Sequence, residues 1–142
     1  MARYVVDASV VAKWVLPGEP YQVNAVKLKD DYISGAVDLS SLFLAVEEVA
    51  NAFLRAVKLG RISMADAEGA LEALGDLGVE LHQPSWSRVA QVLGVAHDLG
   101  LTVYDASYVY FAEGVKAMLI TADDTLYESA GKRCSVLHIR DY

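Results

Sequence analysis

The sequence predicts an α/β fold built on a mainly parallel sheet. Three observations carry that expectation. Short β-branched or apolar runs alternate with stretches of helical length along the whole chain. Glycine, proline or a capping residue marks most of the junctions. Two of the runs pass almost directly into a carboxylate, Asp7 after Val5-Val6 and Asp123 after Ile120-Thr121. In a parallel sheet both acids would stand at the carboxyl ends of their strands, on one rim, where such folds bind ligands.

Residues 3–6 make the first strand, because Tyr and Val suit a pleated surface. A short helix over 9–16 is stopped by Pro17, Gly18 and Pro20. A moderately periodic helix covers 21–33, and 35–39 make the second strand. The long helix over 42–58 ends before Gly60. Ser63 and Asp66 have capping-box spacing and open a helix over 63–77. Residues 79–82 form the third strand, and the helix over 85–99 ends at Gly100. A helix over 104–116 leads into the strand 118–121. The helix over 123–130 closes with Gly131 at C′, and the last strand spans 135–139. No repeat or linker interrupts this order, so one domain is expected over 1–142.

Hydrophobic residues make up 54% of the chain and mean hydropathy is +0.28, which excludes a disordered class. No apolar run approaches the roughly 18 residues of a membrane helix. The start, MARYVVDAS, lacks a signal-peptide layout because an acid interrupts its apolar run. A soluble, cytoplasmic protein without a membrane partner is expected. Cys134 is the only cysteine, so neither an internal disulfide nor a cysteine-based metal site is available within one chain. A net charge of −7 disfavours nucleic-acid binding by bulk positive charge. A metal ion or a local basic rim would have to hold any phosphate. Lys13, Arg55, Lys58, Arg61 and Arg88 are the rim candidates by helix phase.

Four places carry acids in unusual settings: Asp7, the pair Glu47-Glu48 inside an apolar helix, Asp105, and the pair Asp123-Asp124. Each has a structural alternative. Asp7 and Asp123 fit N-caps. Asp105 fits the third position of a helix capped by Thr102. On the helical wheel Val46, Val49, Ala50, Phe53 and Val57 define the apolar arc, so Glu48 faces water or a polar cleft. Gathered carboxylates repel, and burial sharpens the repulsion. A chain that gathers them usually gathers them around a cation, and hard oxygen donors suit Mg²⁺ or Mn²⁺.

Four blocks then resemble one family in order and spacing: VVDASVVAKWVLPGE, EVANAFLRA, GLTVYDASYVYFAE and LITADDTL. The chain resembles PIN-domain ribonucleases, specifically the VapC-like toxins of toxin–antitoxin pairs. The resemblance implies a three-layer α/β/α fold with a short parallel sheet. It implies an acidic pocket for Mg²⁺ or Mn²⁺ formed by Asp7, Glu48, Asp105 and Asp123, with Glu48 rather than Glu47 chosen by the motif. Ser9, Asn51, Thr121 and Asp124 then look like residues that support those ligands. It further implies a homodimer and an antitoxin whose tail docks beside the acids.

The chemistry expected of such a site is hydrolysis of RNA phosphodiesters, single-stranded or structured. An ion would supply both an activated water and charge neutralisation. Asp105 or Glu48 would accept the proton. The alternatives are a PIN nuclease of RNA processing with no antitoxin, and a catalytically silent PIN scaffold that binds a protein. A phosphoacceptor domain fits poorly, because Asp7 has no acidic neighbour. His82, His97 and His138 follow no ligand motif and are expected to be structural or superficial. Trp14, Tyr104, Tyr108 and Tyr110 could stack bases, but their helical spacing more often means core or subunit interface.

Overall fold

The computed structural model describes all 142 residues. Five strands, β1 (Ala2–Val6), β2 (Val37–Leu42), β3 (Glu80–His82), β4 (Met118–Thr121) and β5 (Val136–His138), form one sheet in the order β3-β2-β1-β4-β5. Every pairing is parallel. Parallel strands need long crossovers, and seven helices supply them. They are α1 (Ala8–Ala12), α2 (Gln22–Ile33), α3 (Phe43–Lys58), α4 (Met64–Asp76), α5 (Trp86–Leu99), α6 (Val103–Val115) and α7 (Asp124–Ala130). A 3₁₀ turn, Ile139–Asp141, ends the chain.

β1 lies at the centre, and its neighbours Val5 and Val6 point to opposite faces. Val5 packs with Leu119 against Val92, Val95, Tyr108 and Val109 of α5 and α6. Val6 packs with Leu39 and Ile120 against Val10, Ala25 and Leu28 of α1 and α2. Helices therefore cover both faces, which is why the central strands read as continuous apolar runs. Each fully buried side chain of this kind contributes roughly 1.5–3 kcal/mol. A third cluster joins Ala12 and Leu16 to Val49, Phe53 and Ala56 of α3 and Ala67 of α4.

Several boundaries differ from the sequence expectation. α1 ends at Ala12, and tighter turns follow, with Lys13, Trp14 and Val15 donating three residues back. Pro17 disfavours helical geometry at Leu16 and so cuts the α-helix short. β2 runs on through Ser40, Ser41 and Leu42, which pair with β3. The buried Ser41 hydroxyl donates to the Val6 carbonyl at 2.6 Å, which lets a serine sit inside the sheet. β5 stops at His138, where the chain turns into 3₁₀. Gly131 ends α7 in right-handed geometry, not as a left-handed C′ residue. Gly100 does adopt φ 66°, and it closes α5 there.

The strand order places the site. From β1 the chain builds outward to β2 and β3 on one side and to β4 and β5 on the other. The order reverses between β1 and β4, which opens a crevice at their carboxyl ends. The Asp7 N–H donates to the Ile120 carbonyl across that crevice at 3.4 Å.

Candidate active site

Asp7 is both cap and buried acid. It is only 4% exposed. Its Oδ1 accepts from Ser9 Oγ at 2.6 Å and from the Val10 N–H at 3.2 Å, and its Oδ2 accepts from Thr121 Oγ1 at 2.5 Å. Burial pushes the carboxyl up to about 6. The three hydrogen bonds oppose the rise, and the charge of Asp105 adds to it. The two hydroxyls do a second job. Ser9 Oγ accepts from the Ala122 N–H at 2.9 Å, and Thr121 Oγ1 accepts from the Asp123 N–H at 3.0 Å. They stitch the end of β1 to the turn after β4.

Glu48 is half-buried on α3, whereas Glu47 is exposed. The buried face of α3 is Ala45, Val49, Phe53 and Ala56, while Val46 is 45% exposed. The small alanines rotate that face toward Glu48 relative to the arc read from the sequence. Tyr108 Oη, from α6, donates to Glu48 Oε1 at 2.8 Å. Burial raises the Glu48 carboxyl, the Tyr108 bond opposes the rise, and Asp105 adds to it. The Tyr108 phenol is itself held well above its ordinary range by burial and by the charge of Glu48, with Asp7 adding.

Asp105 stands on the first turn of α6, where Thr102 Oγ1 accepts its N–H at 3.1 Å. Burial raises its carboxyl, and Asp123 adds to the rise. Asp105 is thus the hub of the cluster, coupled to Asp7, Glu48 and Asp123. Asp123 caps α7 through Oδ1, which accepts from the Leu126 N–H at 2.9 Å.

A pattern emerges from the oxygens. Glu48 and Asp123 each have one oxygen tethered and the other without a protein donor. Asp7 Oδ1 is filled by two donors, while Oδ2 has one and keeps a lone pair. No side-chain hydrogen bond engages either oxygen of Asp105. Three tethered carboxylates and the free one of Asp105 thus offer hard oxygen donors, a set that fits Mg²⁺ or Mn²⁺. No three of them close on a single point as placed. Uncompensated carboxylates gain nothing by closer approach.

The remaining sequence candidates fare differently. Asn51 is exposed and makes no side-chain hydrogen bond. Asp124 turns away from the acids and toward the chain's end, at 3.0 Å from His138 Nε2 and 3.6 Å from the Arg140 guanidinium. Of the rim candidates, Lys13 and Arg61 are paired to Glu19. Arg88 lines a cleft of about 450 Å³. That cleft shares Leu42, Gln83, Pro84 and Ser107 with another of about 540 Å³, which reaches Glu47 and Tyr104, the chain neighbours of Glu48 and Asp105. Sequence reasoning missed the role of Tyr108. Its available signal was position: three residues after Asp105, on the same face of α6.

No family model matches the chain. Two curated relatives do, both from Pyrobaculum aerophilum. Ribonuclease VapC3 is 34% identical over 129 residues, 89% of this chain and 93% of the relative. The chain belongs to the VapC ribonuclease family. Exonuclease VapC9 is 36% identical over 97 residues, 68% of this chain and 71% of the relative. The crystal structure of PAE2754 from the same organism matches with a TM-score of 0.73 at 26% identity, covering 99% of this chain and 92% of that one. The fold is also that of FitAcB from Neisseria gonorrhoeae, with a TM-score of 0.63 at 20% identity over 96% of this chain and 97% of that one, and of VapBC-1 from nontypeable Haemophilus influenzae, with a TM-score of 0.60 at 14% identity over 96% and 98%. VapC membership makes the chain a PIN-domain nuclease of the toxin–antitoxin class.

Proposed function

We propose that this VapC-family chain is a Mg²⁺- or Mn²⁺-dependent endoribonuclease whose ion is held by Asp7, Glu48, Asp105 and Asp123. The observation that carries the reading is the set of carboxylates with free acceptor capacity around the β1–β4 crevice: one untethered oxygen each on Glu48 and Asp123, both oxygens of Asp105, and a spare lone pair on Asp7 Oδ2. A bound divalent ion supplies an activated water at neutral pH and offsets charge on the phosphodiester. The protein's own work is positional. Ser9, Thr121 and the first turn of α1 fix Asp7, Tyr108 fixes Glu48, and the first turn of α7 fixes Asp123. Asp105, with both oxygens open, is the acid best placed to take a proton.

The same reading assigns the partners. The two adjoining clefts suit an apolar antitoxin segment beside the acids, and the solved toxin–antitoxin complexes of this fold favour such a partner. Trp86 and Leu93, 95% and 62% exposed on α5, suit a homodimer contact. Cytoplasmic RNA is the substrate class that such a toxin meets. In this structure no helix is long and apolar enough to cross a membrane.

One experiment tests the activity. Circular and linear single-stranded RNAs are incubated with the wild type and with Asp7→Asn, in EDTA and then with Mn²⁺ restored. The expected result is cleavage of both substrates by the wild type with Mn²⁺ only. Cleavage of linear RNA alone would make the protein an exonuclease, and undiminished cleavage in EDTA would remove the metal.

A further inference from the structure

His138 is the one fully buried ring with polar atoms that the proposed chemistry does not use. It ends β5 in register with Thr121 of β4 and is 1% exposed. Its ring lies edge-on between Tyr21 and Tyr127, at centroid distances of 5.5 and 5.6 Å. Nδ1 accepts from the Arg140 N–H at 3.1 Å, which leaves the ring proton of the neutral imidazole on Nε2. Nε2 faces Asp124 Oδ1 at 3.0 Å. The buried ring thus reaches outward to a carboxylate that is itself 76% exposed.

Asp124 adjoins Asp123, and the two acids open the same helix. Asp124 cannot turn inward while His138 and Arg140 hold its Oδ1. The same contact pins the first turn of α7, whose cap is Asp123. The arrangement parallels the other acid pair, in which Tyr108 engages Glu48 and leaves Glu47 outside.

We propose that His138 is a positioning residue that, by gripping Asp124, pins the first turn of α7 and thereby fixes Asp123 toward the ion. The inference rests on the metal reading given above. Partners bonded directly to a ligand typically change metal affinity by about 10- to 100-fold, and His138 acts one residue further out, through Asp124, so the lower end is expected.

The test is Mn²⁺ binding by the metal-free protein, followed by titration calorimetry or by the spin-resonance signal of free Mn²⁺, together with metal-free melting. His138→Phe keeps the ring volume and removes the donor. It should bind Mn²⁺ about tenfold more weakly. His138→Gln restores an N–H near the Nε2 position and should recover most of the affinity. Should His138→Phe fail to fold, Asp124→Ala breaks the same contact from its exposed end and should weaken Mn²⁺ by a similar factor. Asp124→Asn keeps an acceptor for His138 and should bind nearly as the wild type. Wild-type affinity in both His138→Phe and Asp124→Ala overturns the proposal. So does an Asp124→Asn loss equal to that of Asp124→Ala, because the charge would then act on the ion directly. A wild type that binds no Mn²⁺ overturns the metal reading itself, and this inference with it.

Discussion

Tyr108 Oη donates to Glu48 Oε1 across 2.8 Å, joining α6 to α3 over 60 residues of sequence. That bond makes one of two adjacent glutamates part of the crevice. Tyr108→Phe keeps the packed ring and removes the donor. The hydrogen bond opposes the burial-driven rise of the Glu48 carboxyl, so its loss lets that carboxyl rise further. RNA cleavage should fall about 10- to 100-fold, the usual effect of removing a ligand's orienting partner. Circular dichroism should stay unchanged. Wild-type turnover in the variant would show that Glu48 needs no orienting partner.

The two glutamates should separate cleanly. Glu47 is exposed and Glu48 half-buried beside Tyr108. Glu48→Gln should abolish most cleavage, whereas Glu47→Gln should leave turnover within about twofold, as surface substitutions usually leave stability within about 0.5 kcal/mol. Parallel assays of the two purified variants decide it. Equal losses would break the choice between them.

Asp7 gives the pH dependence. Its carboxyl lies near 6 in the folded chain against an ordinary 3.8. A raised carboxyl binds its proton more tightly in the folded state. Its stabilising contribution to the metal-free protein is therefore fully present below about 3.8 and is lost as pH rises through about 6. Asn caps a helix about as well as Asp. Asp7→Asn should therefore be more stable than the metal-free wild type at pH 7.5, by about 1–3 kcal/mol, because a tenfold change in proton affinity corresponds to roughly 1.4 kcal/mol. The gap should close toward pH 4. Added Mg²⁺ should raise the wild-type melting temperature and leave the variant nearly unmoved, because a weaker site contributes less linkage energy. Melts across pH, with and without Mg²⁺, supply the comparison. An identical Mg²⁺ response in both proteins would leave Asp7 as a cap alone.

The exposed face of α5 predicts the assembly. Trp86 and Leu93 share one exposed face of α5, on the side opposite the buried Val95. Exposed Trp and Leu on one helix face mark a contact surface. Trp86→Lys with Leu93→Lys should shift a dimer to monomer in light scattering, with the monomer still folded. A wild type that is monomeric at tens of micromolar, roughly the range where such contacts form, would rule out this contact.

The sequence by itself determined the class of fold and the addresses of two acids. Alternating runs and caps are local signals, and local hydrogen bonds decide them. Ser63 and Thr102 cap their helices through the N–H three residues on, as their spacing implies, and Ser85 does the same. Asp7 and Asp123 follow from strand ends, because a parallel sheet sends both ends to one rim. They are also caps. The cap and the site acid, alternatives in the sequence, do not exclude each other: both residues cap a helix and still stand at the rim where the proposed site lies.

Only the tertiary structure shows what physically separates the members of each acid pair, between which the motif had already chosen Glu48 and Asp123. The wheel of α3 turns Glu48 away from the apolar arc, because Val46 and Val57 weigh more in it than Ala45 and Ala56. The alanines are buried because neighbouring helices approach closely where side chains are small, and this brings Glu48 within reach of Tyr108. Asp124 joins the site in the sequence on adjacency alone, and a histidine from the last strand holds it outside. Serines in β2 and the turn after α1 are equally invisible, since Ser41 is satisfied by a carbonyl 35 residues away. A periodic pattern records which face a helix buries on average. It does not record which single polar atom, far along the chain, meets the one carboxylate at the edge of that face.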